Sequence, residues 1–318
     1  MAEKLYLGLD IGGTAIKAGI CDGEGRLLHS IEGPTESGQG AERVLQNAAG
    51  CARRCVEESP YDWDRIAGVG VGVPGFLDAA RGVVKFSPNL PLTNFPLRDR
   101  LAEALGKPVS VGNDANVAAL GEAWGGAGRG VSSCVLYTLG TGVGGGIVVG
   151  GQVIEGFTGM GGELGHMSVV PDLEAIQCGC GKKGCLETVS SATAIVRMAK
   201  GAVERGDRTS LALIENLTAK DVFDAAKAGD EVARRIIERA AHYLGKSMAQ
   251  MAVIVNPERF IIGGGVSQAG EFFIGLVRET FRKCALERAQ EGVEIVAATL
   301  GNSAGIVGAA GLARQQQP

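Results

Sequence analysis

His166, Cys178, Cys180 and Cys185 crowd into one short stretch of the chain. One imidazole and three thiols make a complete tetrahedral Cys₃His set for Zn²⁺. Four protein ligands leave no open coordination position, so a metal held there is structural and pins a loop that has little other reason to be ordered. The competing reading, buried free cysteines beside an unrelated histidine, fits this spacing poorly. The other cysteines, Cys21, Cys51, Cys55, Cys134 and Cys284, are dispersed. Glu163 stands three residues before His166, and Glu187 two after Cys185. A metal-fixed loop carrying paired carboxylate acceptors suits the vicinal hydroxyls of a polyol.

A second kind of chemistry is written in glycine. Leu9-Asp10-Ile11-Gly12-Gly13-Thr14 puts a carboxylate at a strand end, then exposed backbone N–H groups, then a hydroxyl. Such a turn can accept phosphate oxygens, with Asp10 near the metal that accompanies a nucleotide; an ordinary hairpin turn is the alternative. Leu139-Gly140-Thr141-Gly142-Val143-Gly144-Gly145 repeats the design further on. Asn113-Asp114 lies where a strand passes into a helix. There Asp114 can take a proton from a substrate hydroxyl, as in the kinase template, or simply cap the helix. After Val253–Pro257, the strand and turn Arg259–Val266 offer bare backbone against which a flat ring such as adenine could lie.

Three pattern matches mislead. Ala240–Ser247 satisfies a relaxed phosphate-loop pattern, yet it lies inside the helical run Val232, Ile236, Ile237, Ala240, Leu244, Met248, Met251. A phosphate loop must instead follow a strand and open a helix. Gly70–Gly75 and Gly140–Gly145 both fit G-x-G-x-x-G, but neither opens a helix within a βαβ unit, so neither is a dinucleotide site.

The elements that must position these groups follow from periodicity. Leu5–Leu9, Ile16–Cys21 and Arg26–Ile31 read as an opening antiparallel meander, followed by a helix over Ala41–Glu57. A strand at Ile66–Val73, a helix at Leu97–Leu105, a strand at Pro108–Val111 and a helix to Trp124 come next. Asn113 or Asp114 can cap that last helix. The pattern restarts with strands at Val135–Leu139, Gly146–Val149 and Gln152–Ile154. A loop over Gly156–Gly184 and three helices to Asn256 follow, then a strand at Arg259–Ile262. A helix from Gly270 to Glu287, a strand at Val293–Ala297 and a helix from Ser303 complete the chain. A weak duplication in 318 residues points to two related α/β lobes.

Composition narrows the function classes. The formal net charge of −4, with no basic block, excludes an electrostatic nucleic-acid binder. Glycine at 51 residues is about twice the usual ~7%, without collagen period or low-complexity tract, so it must serve tight turns or close approach to a ligand. Residues 130–154 carry no charge, but the seven glycines between Gly140 and Gly151 break them, which suits strands better than a membrane span. With no charged leader or cleavage site at the start, the expected location is cytoplasmic.

These residues together resemble the ROK family of sugar kinases and transcriptional repressors, and within it the bacterial ATP-dependent glucokinases, from Lys4 to near the end. The most specific piece is Cys178-Gly179-Cys180-Gly181-Lys182-Lys183-Gly184-Cys185-Leu186-Glu187, with Glu163-Leu164-Gly165-His166 as its partner. The resemblance implies an α/β, two-lobed actin/hexokinase-like (ribonuclease H-like) fold with an interlobe cleft. Its N-terminal lobe would cover residues 1–112 and its C-terminal lobe, with the zinc loop, 113–302. A helix over 303–318 would pack back on the first lobe.

Position by position, the resemblance implies Asp114 as general base and Asn113 as its neighbouring sugar contact. Gly75, Glu163, His166 and Glu187 complete the sugar wall, and Asn89 fits as a further substrate residue. Asp10 to Lys17, with Gly12, Gly13 and Thr14, match one phosphate segment. Thr138 to Gly145, with Gly140, Thr141 and Gly142, match the other, and Gly264 and Gly265 the adenosine segment. The implied reaction is phosphoryl transfer from ATP, with Mg²⁺, to the 6-hydroxyl of a hexose, glucose foremost, with structural Zn²⁺. Kinases of N-acetylmannosamine, N-acetylglucosamine, fructose or allose are alternatives. A non-catalytic sugar-sensing regulator is another, although Asp114 and both phosphate turns argue against it. A homodimer or homotetramer is expected. Nucleic-acid binding is not, since only nine residues precede Asp10, too few for the repressors' helix-turn-helix.

Overall fold

The computed structural model describes residues 4–316. These divide into two compact units. The first holds the chain up to Cys134, Gly146–Gly162 and the chain from Thr299 onward; the second holds Val135–Gly145 and Glu163–Ala298.

The first unit opens with β1 (Leu5–Ile11), β2 (Ala15–Cys21) and β3 (Leu27–Pro34), then α1 (Ala41–Glu57) and β4 (Ile66–Val73). Three short strands follow, β5 (Phe76–Asp78), β6 (Val83–Phe86) and β7 (Thr93–Phe95), then α2 (Leu97–Leu105), β8 (Val109–Asn113) and α3 (Asp114–Gly125). Beyond these come β9 (Ser133–Leu139), β10 (Val143–Val149) and β11 (Gln152–Val153), then α4 (Glu187–Ser190), α5 (Ala192–Glu204), α6 (Ala219–Lys227) and α7 (Glu231–Ile254). The chain closes with β12 (Arg259–Gly263), α8 (Glu271–Cys284), α9 (Glu287–Gln290), β13 (Glu294–Ala297) and α10 (Ala304–Gln315).

The first sheet has the order β3-β2-β1-β4-β8 and the second β11-β10-β9-β12-β13. Numbered within each sheet, both read third, second, first, fourth, fifth, so the loose repeat of the sequence is a repeat of topology. The sheet β5-β6-β7 was not anticipated, because its strands are too short for alternation to show. The helix expected over Gly270–Glu287 is interrupted where Ala285 turns extended, at φ −78° and ψ 147°. Ala240–Ser247 lies within the continuous helix α7, and the two G-x-G-x-x-G matches run from β4 into the turn after it and from the turn after β9 into β10. No helix among the described residues is long and apolar enough to cross a membrane.

Strand alternation separates two faces of the first sheet. Leu5, Leu7, Leu9 and Ile11 join Val69, Val71 and Val73, and bury themselves against Val44, Ala48 and Ala52 of α1 and Leu97 and Leu101 of α2. Tyr6 and Cys21, on the other face, cluster with Val307, Ala310 and Ala313 of α10. On that face a Cβ placed on Gly70 would lie 1.7 Å from Ala309 O, and one on Gly308 would lie 1.7 Å from Val117 O in α3. Glycines expected at turns and ligands here let backbones touch instead. Because α3 packs on α10 in this way, the unit boundary falls at Cys134/Val135 and not at the expected 112/113. The step from β8 into α3 is a strand-to-helix junction inside one core.

This packing opposes two ordinary effects. Gly50 lies on α1 with nothing within 4 Å of an added Cβ, so Gly50→Ala should stabilise the fold by ~1 kcal/mol through helix propensity. Gly308→Ala makes the same change of propensity yet forces backbones apart, and should destabilise by ~1–3 kcal/mol or more. Denaturant unfolding of the two variants checks the opposite signs.

Candidate active site

In the first unit, Asp10 stands one residue before the end of β1 with Lys17 directly across the hairpin, since Asp10 pairs with Lys17 in the β1–β2 register. Gly12 to Ala15 closes the turn through Gly12 N–H to Ala15 O at 2.9 Å. Two residues absent from the sequence-based site fix its peptide planes: Thr35 Oγ1 donates to Gly12 O at 2.6 Å and Ser37 Oγ to Gly13 O at 2.9 Å. Their only signal is position, just past β3 and beside the turn. Thr14 is exposed at the rim, and Asn89 backs Gly13, where an added Cβ would lie 3.2 Å from Asn89 O. Gly305 of α10 leaves room for Asp10, whose Oδ2 would lie 2.6 Å from a Cβ there.

The Asn113-Asp114 pair resolves into two roles. Asn113 is the N-cap of α3: its Oδ1 accepts Ala115 N–H at 3.0 Å and Asn116 N–H at 3.2 Å. Its Nδ2 donates to Gly75 O at 3.2 Å. Gly75 has φ 116° and no space for a side chain, with Phe86 O 2.2 Å from an added Cβ. Asp114, in the first turn of α3, is thereby released from the capping duty, although its Oδ1 accepts Ala115 N–H at 2.9 Å. Burial pushes the Asp114 carboxyl above the usual carboxylate range. Burial also raises Asp10; Lys17 opposes this, while the charge of Asp114 adds to it. The first unit therefore couples Asp10 electrostatically to Lys17 and to Asp114, beside the turn of Gly12, Gly13 and Thr14.

In the second unit Thr138 lies on β9, and the turn after it is closed by Gly140 N–H to Gly142 O at 3.0 Å. Thr141 is exposed at its tip. Gly264, at φ 81°, runs against Leu139, whose O would be 2.4 Å from a Cβ, whereas Gly265 faces open space. The segments that the resemblance assigns to adenosine and phosphate are thus in close backbone contact at Gly264 and Leu139.

The ligand atoms of His166, Cys178, Cys180 and Cys185 all lie within 4.8 Å of one another. Cys180 Sγ and Cys185 Sγ are 3.7 Å apart, and Cys178 Sγ is 3.8 Å from His166 Nδ1. Tetrahedral ligands at ~2.3 Å from a zinc stand about 3.8 Å from each other, so the donor set fits that ion. The loop is braced by bridges between Ser168 and Cys185 and between Gln177 and Lys183. With Nδ1 turned to the thiols, His166 Nε2 is 3.9 Å from Glu163 Oε2, beyond direct hydrogen-bond reach.

Two repeated sheets, a glycine-lined turn beside each and a pair of half-buried carboxylates define a two-lobed α/β sugar kinase of the actin/hexokinase type. Within that class the ROK family model matches residues 6–316, and the chain belongs to the ROK family. A glucokinase of Halalkalibacterium halodurans is 42% identical over 100% of this chain and 97% of its own. The ROK hexokinase of Thermus thermophilus superposes with a TM-score of 0.85 at 38% identity, covering 98% of each chain. A ROK family glucokinase from Streptomyces griseus, solved in complex with glucose and AMPPNP, superposes with a TM-score of 0.78 at 38% identity, over 98% of this chain and 99% of that one.

The raised carboxyl of Asp114 has a consequence for stability. An Asp whose folded pKa exceeds its unfolded value of ~3.9 makes the folded chain bind more protons, so stability is lost as pH rises through that window. Asp114→Asn removes the charge that burial disfavours. Its melting temperature should exceed that of the parent at pH 7, with the gain vanishing below about pH 4; a variant melting at or below the parent at pH 7 would contradict this.

Proposed function

We propose that the protein is an ATP-dependent hexose kinase that converts glucose to glucose 6-phosphate, with Asp114 as general base. The observation that carries this reading is the division of labour at the head of α3, where Asn113 caps the helix and leaves Asp114 a half-buried carboxylate of raised proton affinity. A base poised above the ordinary carboxylate value accepts a hydroxyl proton more readily than an exposed one. The kinship to glucokinases, one of them solved with glucose and AMPPNP, supports glucose and ATP as the substrates.

In the proposed reaction, Asp114 takes the proton of the 6-hydroxyl as that oxygen attacks the γ-phosphorus. The new O–P bond forms in line with the breaking bond to the bridging oxygen, and ADP leaves. Gly12, Gly13 and Thr14, with Gly140, Thr141 and Gly142, offer backbone and hydroxyl donors to the phosphates, while Lys17 adds positive charge. Asp10 would hold Mg²⁺, which supplies charge neutralisation on the phosphates. Gly264 and Gly265 take the adenosine. Asn89, Asn113, Glu163, His166 and Glu187 hydrogen-bond the sugar, and Gly75 sets the backbone beneath Asn113. His166, Cys178, Cys180 and Cys185 would hold Zn²⁺, which orders the loop that carries His166 and the two glutamates.

Glucose-dependent ADP release should be present in the parent and reduced ~10²-fold or more in Asp114→Asn, while glucose binding by calorimetry persists. Near-parental turnover by that variant would return Asp114 to a purely structural role. Elemental analysis should find one zinc per chain, and Cys180→Ala should lose most of it; undiminished zinc in that variant would exclude this ligand set.

A further inference from the structure

The metal loop and the second phosphate turn meet at one side chain. Glu187 Oε2 accepts Val143 N–H at 2.9 Å, and a Cβ placed on Gly142 would fall 2.2 Å from the same oxygen. Gly165, between Glu163 and His166, passes so close that a Cβ there would lie 2.0 Å from Val143 O. Ala192 N–H, at the start of α5, donates to Gly140 O at 2.8 Å. The other carboxylate oxygen, Glu187 Oε1, lies 3.7 Å from Cys178 Sγ. The turn is therefore gripped from several sides, and two of the gripping segments carry the ligands His166 and Cys185.

A turn of glycines binds phosphate well only if its N–H groups are already aimed, because glycine otherwise loses the most conformational freedom on ordering. A hydrogen bond from a backbone N–H to a carboxylate is among the stronger local restraints. For the phosphates themselves a nearby carboxylate is unfavourable. Its place beneath the turn is explained by what it does to the backbone.

We propose that Glu187 is a positioning residue for the nucleotide. It acts through Val143 to fix the phosphate turn, so that the metal loop prepares the site for ATP as well as for the sugar. The sequence had assigned Glu187 to the sugar alone. The inference rests on reading residues 138–145 as a nucleotide phosphate segment.

The test is equilibrium binding of AMPPNP, without sugar, to the zinc-loaded full chain. Glu187→Ala should weaken binding roughly three- to tenfold and Gly142→Ala roughly tenfold or more. Glu187→Gln should bind nearly as the parent does, because its amide oxygen can still accept Val143 N–H. The double variant Gly142→Ala/Glu187→Ala should bind no more weakly than Glu187→Ala, since the new methyl then occupies the vacated space. Parental affinity in Glu187→Ala, a Glu187→Gln variant as weak as Glu187→Ala, or losses that multiply in the double variant would each overturn the inference. So would a loss of affinity that appears only in samples that have also lost zinc. If the parent itself fails to bind AMPPNP, the reading of the turn falls first and this inference with it. Glucose binding to the same samples reports separately on the sugar wall.

Discussion

Helix α10 meets the first sheet with its backbone, and the position of both carboxylates depends on that approach. At Gly8 a Cβ would lie 1.9 Å from Ile306 O, and at Gly70 1.7 Å from Ala309 O, so neither strand could carry a side chain there. The close approach sets α10 against Asp10 through Gly305 and against α3 through Gly308. Glu122 secures the arrangement from α3. Its buried carboxylate accepts Ala127 N–H at 2.7 Å and Leu300 N–H at 2.9 Å, tying the end of α3 to the chain that enters α10. The glycines lose more freedom on folding than other residues would, and the apolar face of Val307, Ala310 and Ala313 offsets that cost.

What this framework supports is electrostatically unfavourable by itself. Asp10 and Asp114 are both half-buried, and the charge of Asp114 works against that of Asp10, with Lys17 the charge that relieves it. Such groups cost stability in the free protein, and in the proposed reaction one takes up a proton while the other meets a cation. The two turns, which would serve the phosphates from backbone in the proposed reaction, are themselves held from behind, by Thr35 and Ser37 in one unit and by Glu187 in the other.

Much of this was legible in the sequence. The Cys₃His spacing, both glycine turns and the strand-to-helix junction at Asp114 were visible because each depends on residues adjacent in the chain. Context excluded the phosphate-loop match at Ala240–Ser247, as periodicity had placed it inside a helix. The choice between Asn113 and Asp114 as cap was not legible, since either side chain suits the position and only the donor geometry decides. Nor was the packing of α10 legible, because a helix with glycine at 305, 308 and 311 looks weak until its partners Gly8, Gly70 and Gly121 are known. The unit boundary was misplaced for the same reason. Glu187 was read from the sequence as part of the sugar wall, but its bond to Val143 joins residues 44 apart in the chain and could not be seen there.

The claim on which the account rests is that Asp114 faces the hydroxyl that becomes phosphorylated. A crystal structure of this protein with glucose and AMPPNP bound tests it most directly. The account predicts an Asp114 carboxylate oxygen within ~2.6–3.2 Å of the sugar 6-hydroxyl, with Asn113 still capping α3. A sugar that presents a different hydroxyl to Asp114, or lies out of its reach, would contradict it.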